Sequence, residues 1–445
     1  MTTKPPVPPH QPSSQKPHPL LADAPWLTTT TTQRVFDALQ AAGIAVRAVG
    51  GTVRNTLLGE DVSDIDLAVD APPNEVAEAA RRAGLKVVPT GIDHGTLTIV
   101  VNAIPFEVTS LRRDVATDGR RATIAYTDDW QEDARRRDFT INALYCDRSG
   151  VLFDPVGGLA DIAARRVRFI GDPHARIQED YLRILRFFRF SAQYSGRNLD
   201  ETGLAACISE RAGLQRLSAE RIHHELHRLL KAPAALAVIR QIAPHGFIDD
   251  LVGRPGDIAT LGALVAMEPQ AHQALAVVHG TAVPDPVLRL AALAVSSAED
   301  VPRLKQRLRL SNSEADRLSG AAHVASLVGT YPTPQLVHGL VYRHGNRAAT
   351  DGLLLAWARQ AAQGTAPDAA RDRETETALL DAAATWTPPK LPISGSDLIA
   401  LGVPAGPQIG VVIEAFETWW IAAGFPDDRA CINARLAELV VVTNR

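Results

Sequence analysis

The sequence predicts an α+β domain built on a mixed sheet, followed by an all-helical remainder. Three observations predict it. Short apolar runs with period-two alternation, bounded by glycine or polar turns, crowd residues 45–110. From Asp161 onward, apolar residues recur at three- and four-residue spacing through 178–195, 218–231 and 233–242. At 445 residues, 46% hydrophobic and 22% charged, the chain is long enough for several domains, each able to bury a core.

Taken in order, residues 1–25 are rich in Pro, Ser, Thr and His without an apolar segment, and read as a disordered tail rather than a signal peptide. Residues 33–42 read as a helix, and 45–49 as a strand running into Gly50-Gly51, after which a helix starts. Residues 64–69 alternate as a strand, 74–83 form a helix, and 96–101 with 106–110 form a hairpin. The segment 112–121 is polar, carries Gly119 and lacks apolar periodicity, so a mobile loop is expected. Between 360 and 390 the composition shifts to Ala, Asp, Thr and Pro, ending in Thr387-Pro388-Pro389-Lys390. That stretch is expected as an exposed connection before a last helical unit.

A net charge of −4 excludes wholesale attraction to polyanions, so any phosphate binding must come from local basic patches. Cys146, Cys207 and Cys431 lie far apart with no C-x-x-C pair, which argues against a disulfide framework and a zinc site. A reducing compartment, the cytoplasm, is expected. No stretch approaches the roughly 20 apolar residues needed to span a bilayer.

The chemistry centres on Asp64-Ile65-Asp66. On a strand, positions i and i+2 share a face, so Asp64 and Asp66 present two hard oxygen ligands side by side. Alone the pattern is an ordinary exposed strand face. Thirteen residues before Asp64, however, Gly51 stands in Val49-Gly50-Gly51-Thr52-Val53-Arg54. A strand ending in two glycines lets backbone approach an anion, the helix start offers N–H groups, and Arg54 adds a cation. The string is neither a P-loop nor a dinucleotide fingerprint.

Together these motifs resemble the class II CCA tRNA nucleotidyltransferases and the bacterial poly(A) polymerases of the polymerase-β superfamily. Gly50 to Arg54 with Asp64-Ile65-Asp66 match the first motif, and Arg136-Arg137-Asp138-Phe139-Thr140-Ile141-Asn142-Ala143 match the second. Asp154-Pro155-Val156-Gly157-Gly158 with Asp161 resembles the hinge motif. Glu179-Asp180-Tyr181-Leu182-Arg183-Ile184-Leu185-Arg186 resembles the base-reading helix, and Ser218-Ala219-Glu220-Arg221-Ile222 the last neck motif. The family commonly has Asp where this chain has Asn55.

The resemblance implies an α+β nucleotidyltransferase head over 26–150, then an all-α neck (151–245), body (246–385) and tail (386–445). It implies template-independent addition of CCA to the tRNA 3′ end from CTP and ATP, with Mg2+ on Asp64 and Asp66 and no obligate protein partner. Glu107 is the candidate third carboxylate, for metal or for the hydroxyl proton. Gly50, Gly51, Arg54, Arg137, Asp138 and Asn142 would hold sugar and phosphates. Asp180 and Arg183 would read the base edge, and Arg186 and Arg189 would meet the triphosphate or the RNA end. The four residues recur every third position, which on one helix makes a stripe on one face. The polar loop at 112–121 favours full CCA addition. The rivals are a poly(A) polymerase, an A-adding or CC-adding enzyme, and a catalytically inactive RNA-binding protein. His223 and His227 lack the H-E-x-x-H pattern and are not expected to bind metal, and Trp419-Trp420 is expected to pack the last helices.

Overall fold

The computed structural model describes residues 16–92, 95–118, 121–196, 198–280, 284–329, 332–364 and 373–443, with the side chains of 114–124, 373 and 442–443 left undescribed. It divides into two compact units, Met1–Ser218 and Ala219–Arg445.

In the first unit, helices α1 (Pro19–Ala22), α2 (Pro25–Thr28) and α3 (Thr30–Gln40) precede strand β1 (Val46–Val49). The expected disordered tail is therefore corrected over 19–25: Leu21 and Ala24 are buried, and the Trp26 indole donates to Thr56 Oγ1 at 2.8 Å. Apolar burial outweighs the proline-rich composition there. Next come α4 (Gly51–Leu58), β2 (Ile65–Val69), α5 (Pro73–Arg82), β3 (Lys86–Gly91), β4 (Thr96–Val101) and β5 (Ile104–Ser110). The expected hairpin is present as β4–β5. Its turn residues Asn102 and Ala103 both take positive φ, as a tight two-residue hairpin requires.

Strands β6 (Arg112–Asp118) and β7 (Arg121–Tyr126) pair antiparallel as a separate two-stranded ribbon, so the segment expected as a mobile loop carries strand pairing over its described residues. Backbone pairing needs no apolar alternation, which is why the pattern did not reveal it. After α6 (Trp130–Arg135), strands β8 (Tyr145–Cys146) and β9 (Leu152–Phe153) complete a seven-stranded mixed sheet of order β3-β4-β5-β2-β1-β8-β9. Strand β2 runs antiparallel to β1 and parallel to β5. Behind the sheet, Val49, Ala68, Leu111, Trp130, Ala134, Ala143, Tyr145 and Ile170 form one buried cluster.

The unit closes with α7 (Gly158–Ala163), α8 (Pro173–Glu179), α9 (Leu182–Tyr194) and α10 (Glu201–Ser209). The single helix expected across 178–195 is broken: Asp180 is extended (φ −156°, ψ 107°) and α9 begins after Tyr181. Phe139 packs against Phe169, Phe187 and Phe190, fastening the second motif to α9.

The second unit is helical throughout its described elements, from Ala219–Lys231 to Arg429–Thr443. A buried ion pair, Arg289 with Glu268, sits in its core, and Arg289 also donates to the Leu230 carbonyl at 2.6 Å. The expected connection at 360–390 contains a helix, Arg373–Thr385, which buries Leu379, Leu380 and Ala383. Trp420 packs with Phe416, Ile432 and Leu436 in a terminal core, as expected of it. Among the described residues, no helix is long and apolar enough to cross a membrane.

Candidate active site

Strand β1 ends at Val49 and leads into Gly50, whose φ of 66° with ψ of −119° is open only to glycine, and the chain turns there into α4. No side chain among the described residues caps that helix start. Thr52 fixes the helix to β2: its Oγ1 donates to the Asp64 carbonyl and accepts the Asp66 N–H, both at 3.1 Å. Asp64 and Asp66 are thereby delivered to one edge of the sheet, with Asp64 exposed and Asp66 half-buried.

The parallel register sets Asp66 beside Glu107 on β5, so their side chains share a face. Sequence reasoning named Glu107, and the structure brings it to the pair. Burial, then the Glu107 and Asp64 charges, push the Asp66 carboxyl up to about 6 from its ordinary 3.8, with Arg137 and Arg54 opposing. A half-buried carboxylate crowded by two others fits a hard divalent cation, which would relieve that repulsion. The three do not form a closed cage: among the described residues no group of three or more His, Cys, Asp and Glu could hold a metal by itself. Magnesium sites of this kind use one or two carboxylates and complete the shell with substrate phosphates and water.

Arg54 is buried, and its described hydrogen-bond partners are uncharged: Asn142 Oδ1 at 2.5 Å, Asn55 Oδ1 at 2.8 Å and Tyr194 OH at 2.7 Å. Burial lowers its pKa, and Tyr194 and Asp138 counteract this. Arg54 is thus a buried strut with most of its donors engaged, rather than the open phosphate fork that the sequence suggests. Asn55 also donates to the Asp61 carbonyl at 2.8 Å, a bond that aspartate could not make.

From Arg54 the hydrogen bonds continue. Asn142 donates to Asp138 Oδ1 at 2.9 Å, and Asp138 Oδ2 accepts from Arg186 Nε at 2.8 Å. Burial alone would raise the Asp138 carboxyl, but Arg186 and Asn142 hold it at about 2. Arg186 therefore meets Asp138. Arg189 lies over the Phe190 ring, 4.1 Å from its centroid.

Arg137 borders the glycine turn: a Cβ at Gly50 would lie 3.6 Å from its Nη1. It is aimed by Asp133 (3.0 Å), by the Tyr145 hydroxyl (3.2 Å) and by the Asn142 carbonyl (3.4 Å). Asp133 is 1% exposed and also takes Arg136 at 2.5 Å. Burial would raise its pKa, and Arg137, Arg136 and Tyr145 bring it to about 2. Sequence reasoning missed Asp133, although its spacing of three and four residues before Arg136 and Arg137 on a helix was a usable signal. The hinge motif braces the same segment, since Thr140 Oγ1 donates to buried Asp161 at 2.6 Å.

Asp180 does not lie on a helical stripe with the three arginines. It sits in the break between α8 and α9, where its Oδ1 accepts the Leu182 N–H at 3.1 Å. The Arg183 guanidinium is held by Glu179 at 2.5 Å and the Arg176 carbonyl at 2.7 Å. Arg176 also binds Glu179, and it donates to the Arg137 carbonyl at 2.6 Å. Glu179 and Arg176 are further residues to which sequence reasoning gave no role, though Arg176 lies three residues before Glu179 and Glu179 four before Arg183.

Comparison with known proteins agrees with this geometry. The Poly A polymerase head domain family model matches residues 46–168, from the start of β1 to just past α7. The mitochondrial CCA tRNA nucleotidyltransferase 1 of Danio rerio is 34% identical over 379 residues, covering 84% of this chain and 83% of its own. A CCA-adding enzyme of Levilactobacillus brevis is 29% identical over 415 residues, covering 91% and 96%. The crystal structure of the Bacillus stearothermophilus CCA-adding enzyme in complex with CTP superposes with a TM-score of 0.70 at 25% identity, covering 94% of this chain and 98% of that one. Enzymes of this family work with divalent metal ions. With the glycine turn, the paired aspartates and the second motif in one place, and likeness running through both compact units, this chain belongs to the CCA tRNA nucleotidyltransferase family.

Proposed function

We propose that the chain adds CCA to the 3′ end of tRNA without a nucleic-acid template, drawing on CTP twice and ATP once. The observation that carries this reading is the meeting of Asp64, Asp66 and Glu107 beside the Gly50 turn in a chain of this family. In each step the terminal ribose oxygen bonds to the α-phosphorus, the bond from that phosphorus to the bridging oxygen breaks, and pyrophosphate leaves. Mg2+ held by Asp64 and Asp66 would supply charge neutralisation and a lowered pKa for the attacking hydroxyl. Glu107, exposed at the same edge, is assigned to a metal or to the hydroxyl's proton.

Gly50, Gly51 and Arg137 are assigned to the phosphates and sugar. Asp138, Asn142 and Arg54 keep Arg186 and α9 in register with them. Asp180 and Arg183 are assigned to the base edge, where uracil or guanine would leave buried polar groups unpaired. Head, neck, body and tail are assigned to 26–150, 151–245, 246–385 and 386–445. The three free cysteines support a reducing compartment, here the cytoplasm.

The test incubates purified protein with tRNA lacking its CCA end, with CTP, ATP or both, and sequences the products. Complete CCA ends with both nucleotides, and CC ends with CTP alone, are expected. Long adenosine tails without cytidine would sink the reading, and ends that stop at CC would reassign the chain as a CC-adding enzyme.

A further inference from the structure

The break between α8 and α9 interrupts the helical backbone beside the site, and it carries Asp180. A helix end with no support would let that side chain wander. The structure supplies support from a distant segment, the short 3-10 helix Arg211–Arg216.

Two ties are visible. Glu210, just before that segment, accepts from Gln178 on α8 at 3.0 Å and pairs with His174 at 3.1 Å. Immediately after Asp180, the Tyr181 ring lies flat against Gly213. A methyl group on Gly213 would overlap ring carbons Cγ, Cδ1 and Cε1 of Tyr181. Gly213 is buried and its φ is not in the positive range, so the backbone there would accept any L residue. What demands glycine is the ring, whose carbons are the nearest atoms a side chain would meet. Arg216 adds a cation 5.2 Å from the Tyr181 ring centroid. The Tyr181 carbonyl accepts the Ile184 N–H at 3.1 Å, and the Asp180 carbonyl accepts that of Arg183 at 3.0 Å, so the ring's seat and the first turn of α9 are one rigid piece.

We propose that Tyr181 and Gly213 form a latch that sets the orientation of Asp180 and Arg183, making Tyr181 a positioning residue for nucleotide selection. The inference rests on the proposed assignment of those two residues to the base edge. Asp180 is aimed by what Tyr181 leans on, and its own hydrogen bond to Leu182 follows from the same turn. Tyr181 itself touches no substrate in this scheme. Its hydroxyl is dispensable, whereas its flat face is not.

The test measures equilibrium binding of CTP, ATP, UTP and GTP in the absence of RNA, alongside the CCA-addition assay, for the full chain and three variants. Gly213→Ala displaces the ring; Tyr181→Leu removes it; Tyr181→Phe keeps it. Both Gly213→Ala and Tyr181→Leu are expected to weaken CTP and ATP binding about tenfold while UTP changes less than about twofold, the scale of one or two misplaced hydrogen bonds. Tyr181→Phe should retain wild-type selectivity. Adding Gly213→Ala to Tyr181→Leu should cost little more, because the two disrupt one contact. Thermal unfolding of each variant separates loss of selection from loss of fold, and Tyr181→Phe against Tyr181→Leu decides the matter should Gly213→Ala not fold. Unchanged selectivity in both folded disruptive variants would overturn the latch while leaving CCA addition standing. Base-selective, latch-dependent binding without any CCA addition would uphold the latch and remove the proposed activity.

Discussion

Replacing Asp66 by asparagine should make the metal-free protein more stable while greatly slowing its chemistry. The Asp66 carboxyl sits at about 6 against an ordinary 3.8, because burial and the Glu107 and Asp64 charges disfavour its ionised form. At ~1.36 kcal/mol per pKa unit, that rise corresponds to about 3 kcal/mol of native-state destabilisation at pH 7. The sign follows from a folded pKa raised above the unfolded one. Above pH 6 both states are ionised and the full cost is present. As pH falls through 6 the folded protein takes up a proton first, and the cost vanishes once pH is below the ordinary 3.8, by about pH 3. Asp66→Asn should therefore gain up to about 3 kcal/mol at pH 7 and about half of that at pH 5. For a unit of this size, ~2–4 °C per kcal/mol translates the gain into at most about 6–12 °C in Tm. Differential scanning calorimetry of the metal-free proteins at the two pH values reads it, with nucleotide incorporation expected to fall roughly a hundred- to a thousandfold. Magnesium should raise the wild-type Tm and move that of the variant less. A variant no more stable than wild type at pH 7, or one whose gain grows toward pH 5, would refute the electrostatic reasoning.

Asp133 works in the opposite sense. With its carboxyl at about 2, its pairing with Arg136 and Arg137 contributes stability present above about pH 4 and lost as pH falls through 2, which acid titration of Tm for wild type against Asp133→Asn would show. Glu179→Gln removes the carboxylate that Arg176 and Arg183 share, and CTP-over-UTP selectivity in competitive incorporation should fall about five- to tenfold with the metal site intact. In the second unit, Arg289→Ala leaves Glu268 buried without its partner and should cost about 3–5 kcal/mol in urea denaturation, most of it recovered by also making Glu268→Leu.

What the sequence disclosed and what it hid follow from the range of the interactions. Asp64 and Asp66 were legible because strand periodicity is local, and the Gly50 turn because its backbone angle admits only glycine. The Asn102–Ala103 hairpin was framed by alternating strands on either side. The break at Asp180 was invisible because apolar spacing continues through it, and Gly213, against which Tyr181 packs, lies far away in sequence. Arg54 read as an open cation, since nothing nearby announces that Asn142 and Tyr194, 88 and 140 residues away, will occupy its donors. The helix Arg373–Thr385 escaped notice because its turn-like composition is overridden by the burial of Leu379, Leu380 and Ala383.

Strand β5 ties catalysis to folding fidelity. Glu107 stands between Phe106 and Val108, which are 0% and 1% exposed, and all three take their faces from the pairing with Ile65, Asp66 and Leu67. A slip of one residue in that pairing would turn Glu107 into the core and push two large apolar side chains into water. A misaligned active site is thus also a molecule with a ruined interior, and it would unfold or be cleared before it could join a wrong nucleotide to an RNA. The hydrophobic core acts as inspector of the reaction centre: chains that survive as folded protein are the ones whose carboxylates are correctly aligned.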